Sequence, residues 1–301
     1  MFQTDTGGNI KRLPSETRVF LTTLMQQGGP APDDYLEFTH LVNNLGSEAL
    51  DEFRTIIADA LTENTLIGHA YVKPYGYPGD FTIIRNIYQD HVNPDKRFHN
   101  WDRFFQDQAG ANAVRNRKQY FLEHCELLEK RNPDNPSVLI LGSGPATDVH
   151  EYLATHPDSR IHFCLVDFDQ HAIDFAQQQN REFGDAVKYF RINVLRYKPT
   201  KMFDLIWSAG LFDYFKEKHF AYMINKYYKF LNKDGEFIIG NFSLNNPTKR
   251  LMEVLSDWYL NHRSKHDLIS VAMEAGIAEE NISVDMEALG VNLFLHIRQP
   301  G

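Results

Sequence analysis

The chain is poor in cysteine: it holds two, Cys125 and Cys164, in 301 residues. One lies in a helical pattern and the other in an apolar strand pattern. They read as separate buried thiols, not as a disulfide framework or a metal pair. Long apolar runs are also missing, and nothing nears the ~18 residues a membrane span needs. The opening MFQTDTGGNIKRLP is polar and has no apolar h-region, so it does not read as a secretory signal. Positive charge is scarce as well. Lys and Arg number 31 against 40 Asp and Glu, the formal net charge is −9, and no basic cluster stands out. Such a surface repels phosphate backbones, which speaks against a nucleic-acid partner. Internal repeats and low-complexity tracts are absent. What remains is the composition of a cytoplasmic globular protein, 43% apolar and 24% charged. Its length suits one large α/β domain, or one domain plus a smaller appendage.

Two halves differ in pattern. Up to residue 108 the sequence is helical in rhythm. PSETRVFLTTLMQQ runs to Gly28-Gly29, DDYLEFTHLVNNLG is capped by Asp33, and SEALDEFRTIIADALTEN opens on Ser47 as an N-cap. These helices are short, and we expect them to pack onto the later part of the chain without a core of their own. In YGYPGDF, Pro78-Gly79 suits a type II turn and Asp80 an N-cap for the helix TIIRNIYQD. Residues 109–130 form a long helix by periodicity, closed by the breaker RNPDNPS. From residue 137 strands alternate with helices: SVLIL, RIHFCLV, VKYFRI, FDLIWS and GEFIIGNF are strands. That alternation predicts βαβ units and a parallel sheet. ISVDMEALG and VNLFLHIRQ, joined at Gly290, predict an edge hairpin.

VLILGSGPATDVHEYL is a strand, a Gly-rich turn and a helix. Glycines there let the backbone approach a ligand, and the helix N-terminus offers free N–H groups. Asp167, after the next strand, is placed to accept hydrogen bonds from a ribose diol. A dinucleotide fingerprint needs a third glycine where Thr147 stands, and Pro145 removes a donor where a pyrophosphate wants one. An NAD(P)-dependent oxidoreductase is therefore the weaker reading. With the terminal hairpin, residues 137–298 resemble a class I S-adenosylmethionine-dependent methyltransferase: a Rossmann-like parallel sheet with a reversed hairpin, here preceded by a helical N-terminal lid domain. The resemblance implies domains at 1–108 and 109–301 and S-adenosyl-L-methionine as cofactor. It implies that Gly142, Ser143 and Gly144 wrap the methionine part and that Asp148 touches the ammonium. Asp167 would hold the ribose, Phe168 lie beside the adenine, and Asn193 and Val194 line its edge. Ser208, Ala209 and Gly210 would face the methyl. The strand ending DLIWSAGLFDYF lacks the Asn/Asp-Pro-Pro-aromatic motif of base-amine methyltransferases. It also has Ser208 where metal-dependent catechol methyltransferases place an aspartate, so we expect no metal.

KPYGYPGDF, AVRNR, AGLFDYF, MEVLSDWYLNHR and GVNLFLHIR together resemble a narrower group, the bacterial methyltransferases that make 3-hydroxypalmitic acid methyl ester, a quorum-sensing signal. A small-molecule acceptor is implied, with O-methylation of a carboxylic or hydroxy-fatty acid as the leading reading. N- or C-methylation of an amino-acid-like or secondary metabolite, with an Asp or Tyr base, is the alternative. A carboxylate nucleophile needs no base but does need donors to place it. Arg115 and Arg117 are two apart, so they leave a helix on different faces, and one of them can reach the cofactor's carboxylate. Tyr259 and Arg263 share a face if DWYLNHR is helical, and Trp258 adds an aromatic. Asp213 is a base or a cap, with Tyr214 next to it. Tyr77 and Asp80 are lid-borne candidates, and Lys73 can attract an anion. His262 and His266 have the spacing of ligands on one helix face, but no third ligand is near in sequence. Most of the thirteen histidines read as surface or capping residues.

Overall fold

Four of the five predicted strands are largely apolar, as strands covered on both faces must be, while the fifth, VKYFRI, carries Lys188 and Arg191. In the computed structural model, which describes residues 3–4 and 10–301, they form one sheet with the terminal hairpin. We number its strands β1 (Ser137–Leu141), β2 (His162–Asp167), β3 (Val187–Arg191), β4 (Phe203–Ser208), β5 (Leu231–Phe242), β6 (Ile282–Met286) and β7 (Asn292–Arg298). The spatial order is β3-β2-β1-β4-β5-β7-β6. β1 to β5 are parallel, whereas β7 runs antiparallel to both β5 and β6. The expected fold, a parallel sheet ending in a reversed hairpin with a helical N-terminal part before it, is the one observed.

The period-two geometry of strands sorts the core into two layers. Leu139, Leu141, Cys164 and Val166 enter one layer with Phe220, Met223 and Ile224 of the helix Glu217–Tyr228. Val138, Ile140, Phe163 and Leu165 enter the other with Phe121 and Leu128 of the helix Ala109–Arg131. Both cysteines are buried and free. After β1 the chain crosses to β2 and β3, and after β3 it returns to the other side at β4. The loops that leave β1 and β4 therefore flank a topological switch point, where open α/β sheets bind ligands.

The chain divides into two compact units, Met1–Asn112 with Pro247–Tyr259, and Ala113–Asn246 with Leu260–Gly301. The sheet belongs to the second. The first is helical and has an apolar core of its own, which corrects the expectation that its short helices would lack one. Phe38, Phe53, Trp101 and Phe104 lie at its centre with Leu21 and Leu24. Segment 247–259, which the continuous domain 109–301 did not anticipate, completes that core through Leu251, Val254 and Leu255. Its ties include Arg54 Nη2 donating to the Val254 carbonyl at 2.9 Å and Arg250 Nη2 donating to the Leu45 carbonyl at 2.8 Å.

Five local expectations change. Asp34, not Asp33, accepts the Ala31 N–H at the turn Pro32–Asp34, and Ser47 is the first helical residue after Gly46 at the N-cap. Positive φ falls at Gly76 (88°) and not at Gly79, so the turn before Asp80 is not type II. DWYLNHR is not helical: the helix Lys249–Ser256 ends at Asp257, whose φ is 48°. His262 lies outside the helix Lys265–Glu274, so it shares no helix face with His266. The reading of the first residues as no secretory signal falls mainly on 1–2 and 5–9, outside the described residues. Among the described residues no helix is long and apolar enough to cross a membrane, and no group of three or more His, Cys, Asp or Glu could hold a metal.

Candidate functional site

β1 delivers Gly142, Ser143 and Gly144 to the switch point. Positive φ at Gly142 (68°), Gly144 (53°) and Ala146 (50°) folds the loop back before the helix Thr147–Thr155 begins. A Cβ on Gly142 would meet the Leu211 side chain at 3.2 Å, so this loop packs closely on the one leaving β4. A Cβ on Gly144 would meet nothing within 4 Å. Open space thus lies beside Gly144, and the buried Ser143 hydroxyl has no hydrogen-bond partner.

Asp167 closes the end of β2. It is buried, and its oxygens accept N–H groups from Gly144 at 2.9 Å and Asp169 at 3.0 Å. Burial raises its pKa above the ordinary carboxylate value, and these N–H groups pull it back. Each oxygen keeps a lone-pair direction for a further donor. Phe168, the next residue, is 56% exposed, which is unusual for a phenyl ring.

The helix Ala109–Arg131 separates the two arginines. Arg117 is 5% exposed and Arg115 half-buried. The Arg117 Nη1 lies 2.9 Å from where a Gly210 Cβ would stand, and its Nε has no partner. Burial pushes Asp148 up to about 6, against the Val149 N–H and the charges of Arg117 and Lys118. Burial also pushes Asp213 up to about 6, against the Phe242 N–H and the charges of Arg117 and Arg263. Arg117 is thus a counter-charge common to two buried carboxyls.

The donor set matches the chemistry of an amino-acid-bearing nucleoside. Arg117 and the unpartnered Ser143 hydroxyl suit a carboxylate, Asp167 suits a diol, and Phe168 suits a purine face. Gly144 and Gly210 leave room where side chains would intrude.

Other candidates are placed differently. The Ser208 hydroxyl is fully buried and donates to the Leu141 carbonyl at 2.9 Å, so it ties β4 to β1, and the half-buried Ala209 and Gly210 follow it. The Asn193 Oδ1, expected at the adenine, accepts the Leu195 N–H at 2.8 Å, and the Val194 carbonyl accepts the Tyr227 hydroxyl at 2.7 Å. Arg263 is buried. Its Nη1 donates to Asn241 Oδ1 at 2.7 Å and its guanidinium stacks on Phe220, so it braces the second unit. Tyr214 is 39% exposed beside buried Asp213. Tyr77, Asp80 and Trp258 belong to the first unit. Trp258 is buried there, while Tyr77 is half-buried.

Asp80 is fully buried and is the N-cap expected. Its Oδ1 accepts the Thr82 and Ile83 N–H groups at 2.9 and 3.1 Å. Its Oδ2 lies 2.7 Å from His69 Nε2. His69 was not among the sequence candidates, since most histidines read as surface or capping residues. It is eleven residues from Asp80, but one helix ends at Val72 and the next begins at Phe81, so no continuous period links the two.

Residues 138–235 match the family model of a methyltransferase domain. A search of curated proteins finds no match. Among solved structures, a possible exported protein from Bordetella parapertussis is 13% identical with a TM-score of 0.62, over 96% of this chain and 98% of that one. The S-adenosylmethionine-dependent methyltransferase SibL in its apo form is 16% identical with a TM-score of 0.51, over 96% and 86%. Magnesium protoporphyrin IX methyltransferase from Synechocystis PCC 6803, with bound S-adenosylhomocysteine, is 12% identical with a TM-score of 0.50, over 66% and 92%. At such identities the likeness is one of fold. Residues 138–235 thus carry a methyltransferase domain, and the sheet order and the cradle at its switch point suit S-adenosyl-L-methionine as its cofactor.

Proposed function

We propose that the protein methylates a small-molecule acceptor, with an oxygen of a carboxylic or hydroxy-fatty acid as the site of transfer. The observation that carries the cofactor end is the buried Arg117 guanidinium against Gly210, beside the glycine loop and Asp167. In this reading Arg117 and Ser143 hold the carboxylate of S-adenosyl-L-methionine and Asp148 faces its ammonium. Asp167 holds the ribose hydroxyls and Phe168 covers the adenine. The cofactor supplies an electrophilic methyl on a sulfonium. The protein's task is then to fix an acceptor atom in line with that methyl and to keep water out. For the acceptor, the support is the resemblance of strings from KPYGYPGDF to GVNLFLHIR to the ester-forming group.

Asp213 favours a second reading, methyl transfer to nitrogen or carbon. A carboxyl pushed up to about 6 is a better proton acceptor near neutral pH than an ordinary aspartate.

Two measurements test this. By calorimetry, Asp167→Ala should bind S-adenosylhomocysteine roughly a hundredfold more weakly, the loss expected when hydrogen bonds to a charged group vanish. Unchanged affinity removes Asp167 from the ribose. Methyl-labelled cofactor, incubated with the protein and a metabolite extract, should label a small molecule. Release of the label by mild alkali marks an ester, and alkali-stable label on nitrogen or carbon marks the second reading.

A further inference from the structure

From the hydrogen bonds of residues 193–195 we infer that the cofactor's base is read as a purine ring and not by its 6-amino group, with Asn193 setting that tolerance. This rests on the cofactor reading, in which Asp167 holds the ribose and Phe168 covers the base, and narrows it to one edge of the base. All of the residues concerned belong to the second unit. β3 lies beside β2 with Arg191 opposite Asp167, and the Ile192 N–H donates to the Asp167 carbonyl at 2.8 Å. Residues 193–195 therefore leave the sheet next to Asp167 and Phe168. Two apolar side chains are exposed on these neighbouring loops, Phe168 at 56% and Leu195 at 39%.

The acceptors of this segment are already engaged. The Asn193 carbonyl accepts the Arg196 and Tyr197 N–H groups at 2.8 and 3.0 Å. The Val194 carbonyl accepts the Tyr227 hydroxyl at 2.7 Å and Lys226 Nζ at 2.9 Å, and Lys226 Nζ also donates to the Leu195 carbonyl at 2.9 Å. The Asn193 Oδ1 accepts the Leu195 N–H at 2.8 Å. A main-chain N–H can only donate, so this contact fixes which end of the Asn193 amide is oxygen. The other end, Nδ2, is a donor. Nδ2 and the main-chain N–H groups of Asn193 and Val194 have no hydrogen-bond partner among the described residues. The segment thus offers donors, while its acceptors serve its own turn and the helix Glu217–Tyr228. Purine ring nitrogens are acceptors and match such an edge. A 6-amino group is a donor, and Nδ2 gives it nothing to bind. An aspartate at 193 would differ: one carboxylate oxygen would keep the Leu195 N–H while the other accepts the amine. Asn193 is exposed, so the amino group stays in water and is neither held nor penalised.

The test is calorimetry on the full chain with S-adenosylhomocysteine and its 6-deamino analogue, which carries hydrogen in place of the amino group. Wild type should bind the two within about threefold, less than a typical net hydrogen bond contributes. Asn193→Asp should favour S-adenosylhomocysteine over the analogue by roughly tenfold or more, as a hydrogen bond to a charged acceptor does. Each ratio is taken within one protein, so a loop loosened by the substitution weakens both ligands and leaves the ratio intact. A wild-type preference for the amino ligand beyond the stated margin overturns the inference, as does a ratio that Asn193→Asp leaves unchanged. Should neither ligand bind wild type, the cofactor reading itself fails, and the inference falls with it.

Discussion

Both units bury aromatic and aliphatic residues, but their cores are drawn from the chain in different ways. In the second, strands and helices alternate, and every other strand residue goes to the same layer. In the first, the core gathers aromatic residues from short helices and closes only when residues 247–259 arrive from far along the sequence. Periodicity tells which face of an element is buried, but not which distant element covers it. Units whose partners are local and regular can therefore be read from sequence, and units closed by a returning segment cannot.

The strongest way to break this comparison is Trp101→Ala. Trp101 is fully buried and meets Phe38 edge-on at 5.5 Å. Removing it should cost about 3–5 kcal/mol. Hydrogen exchange should then show lost protection across 10–112 and 247–259, with the sheet still protected. Equal loss in both units would mean that they unfold as one block.

A smaller change sharpens the electrostatics of the second unit. The folded pKa of Asp213, about 6, exceeds its ordinary value of 3.8. The folded state therefore holds the proton more tightly, and the stability this contributes is present below pH ~4 and lost as pH rises through about 6. Asp213→Asn should remove that loss and stabilise the protein at pH 8 by up to about 3 kcal/mol. Urea denaturation at pH 4 and pH 8 checks the sign, which the carboxylate's neighbours Arg117 and Arg263 would reverse if their attraction outweighs burial. Asp148 carries the same sign, so the variant flattens only part of the pH dependence.

The smallest effect concerns the glycine loop. Gly144→Ala meets no neighbour within 4 Å but keeps a φ of 53°, so only the left-handed conformation is penalised, by about 1–2 kcal/mol. Gly142→Ala adds a contact at 3.2 Å with Leu211 and should cost more. Thermal melts of the pair separate backbone strain from crowding.

How much was legible depends on the same contrast between local and distant partners. β1 and β3 lie within the runs SVLIL and VKYFRI, because an apolar or β-branched run between breakers has few other uses. Gly142, Gly144 and Asp167 stood out because strand, turn and acid stand at informative spacings, and the structure ties Gly144 to Asp167 by a 2.9 Å hydrogen bond. The choice between Arg115 and Arg117 needed the azimuth of a long helix. The bond from the Ser208 hydroxyl to the Leu141 carbonyl was not legible, since nothing in the sequence says that this carbonyl lies beside it. His69 was illegible because a turn with two left-handed residues, and not a period, brings it to Asp80.

Segment 247–259 also has a consequence for how the protein is made. A ribosome releases residues 10–112 well before it reaches 259, a delay on the order of ten seconds at ordinary translation rates. Through that interval Phe53 and its neighbours lack the cover of Leu251, Val254 and Leu255. The newborn N-terminal helices must wait with an open apolar surface while the sheet is synthesised. In the cell, chaperone demand should track that wait more than the stability of the finished enzyme.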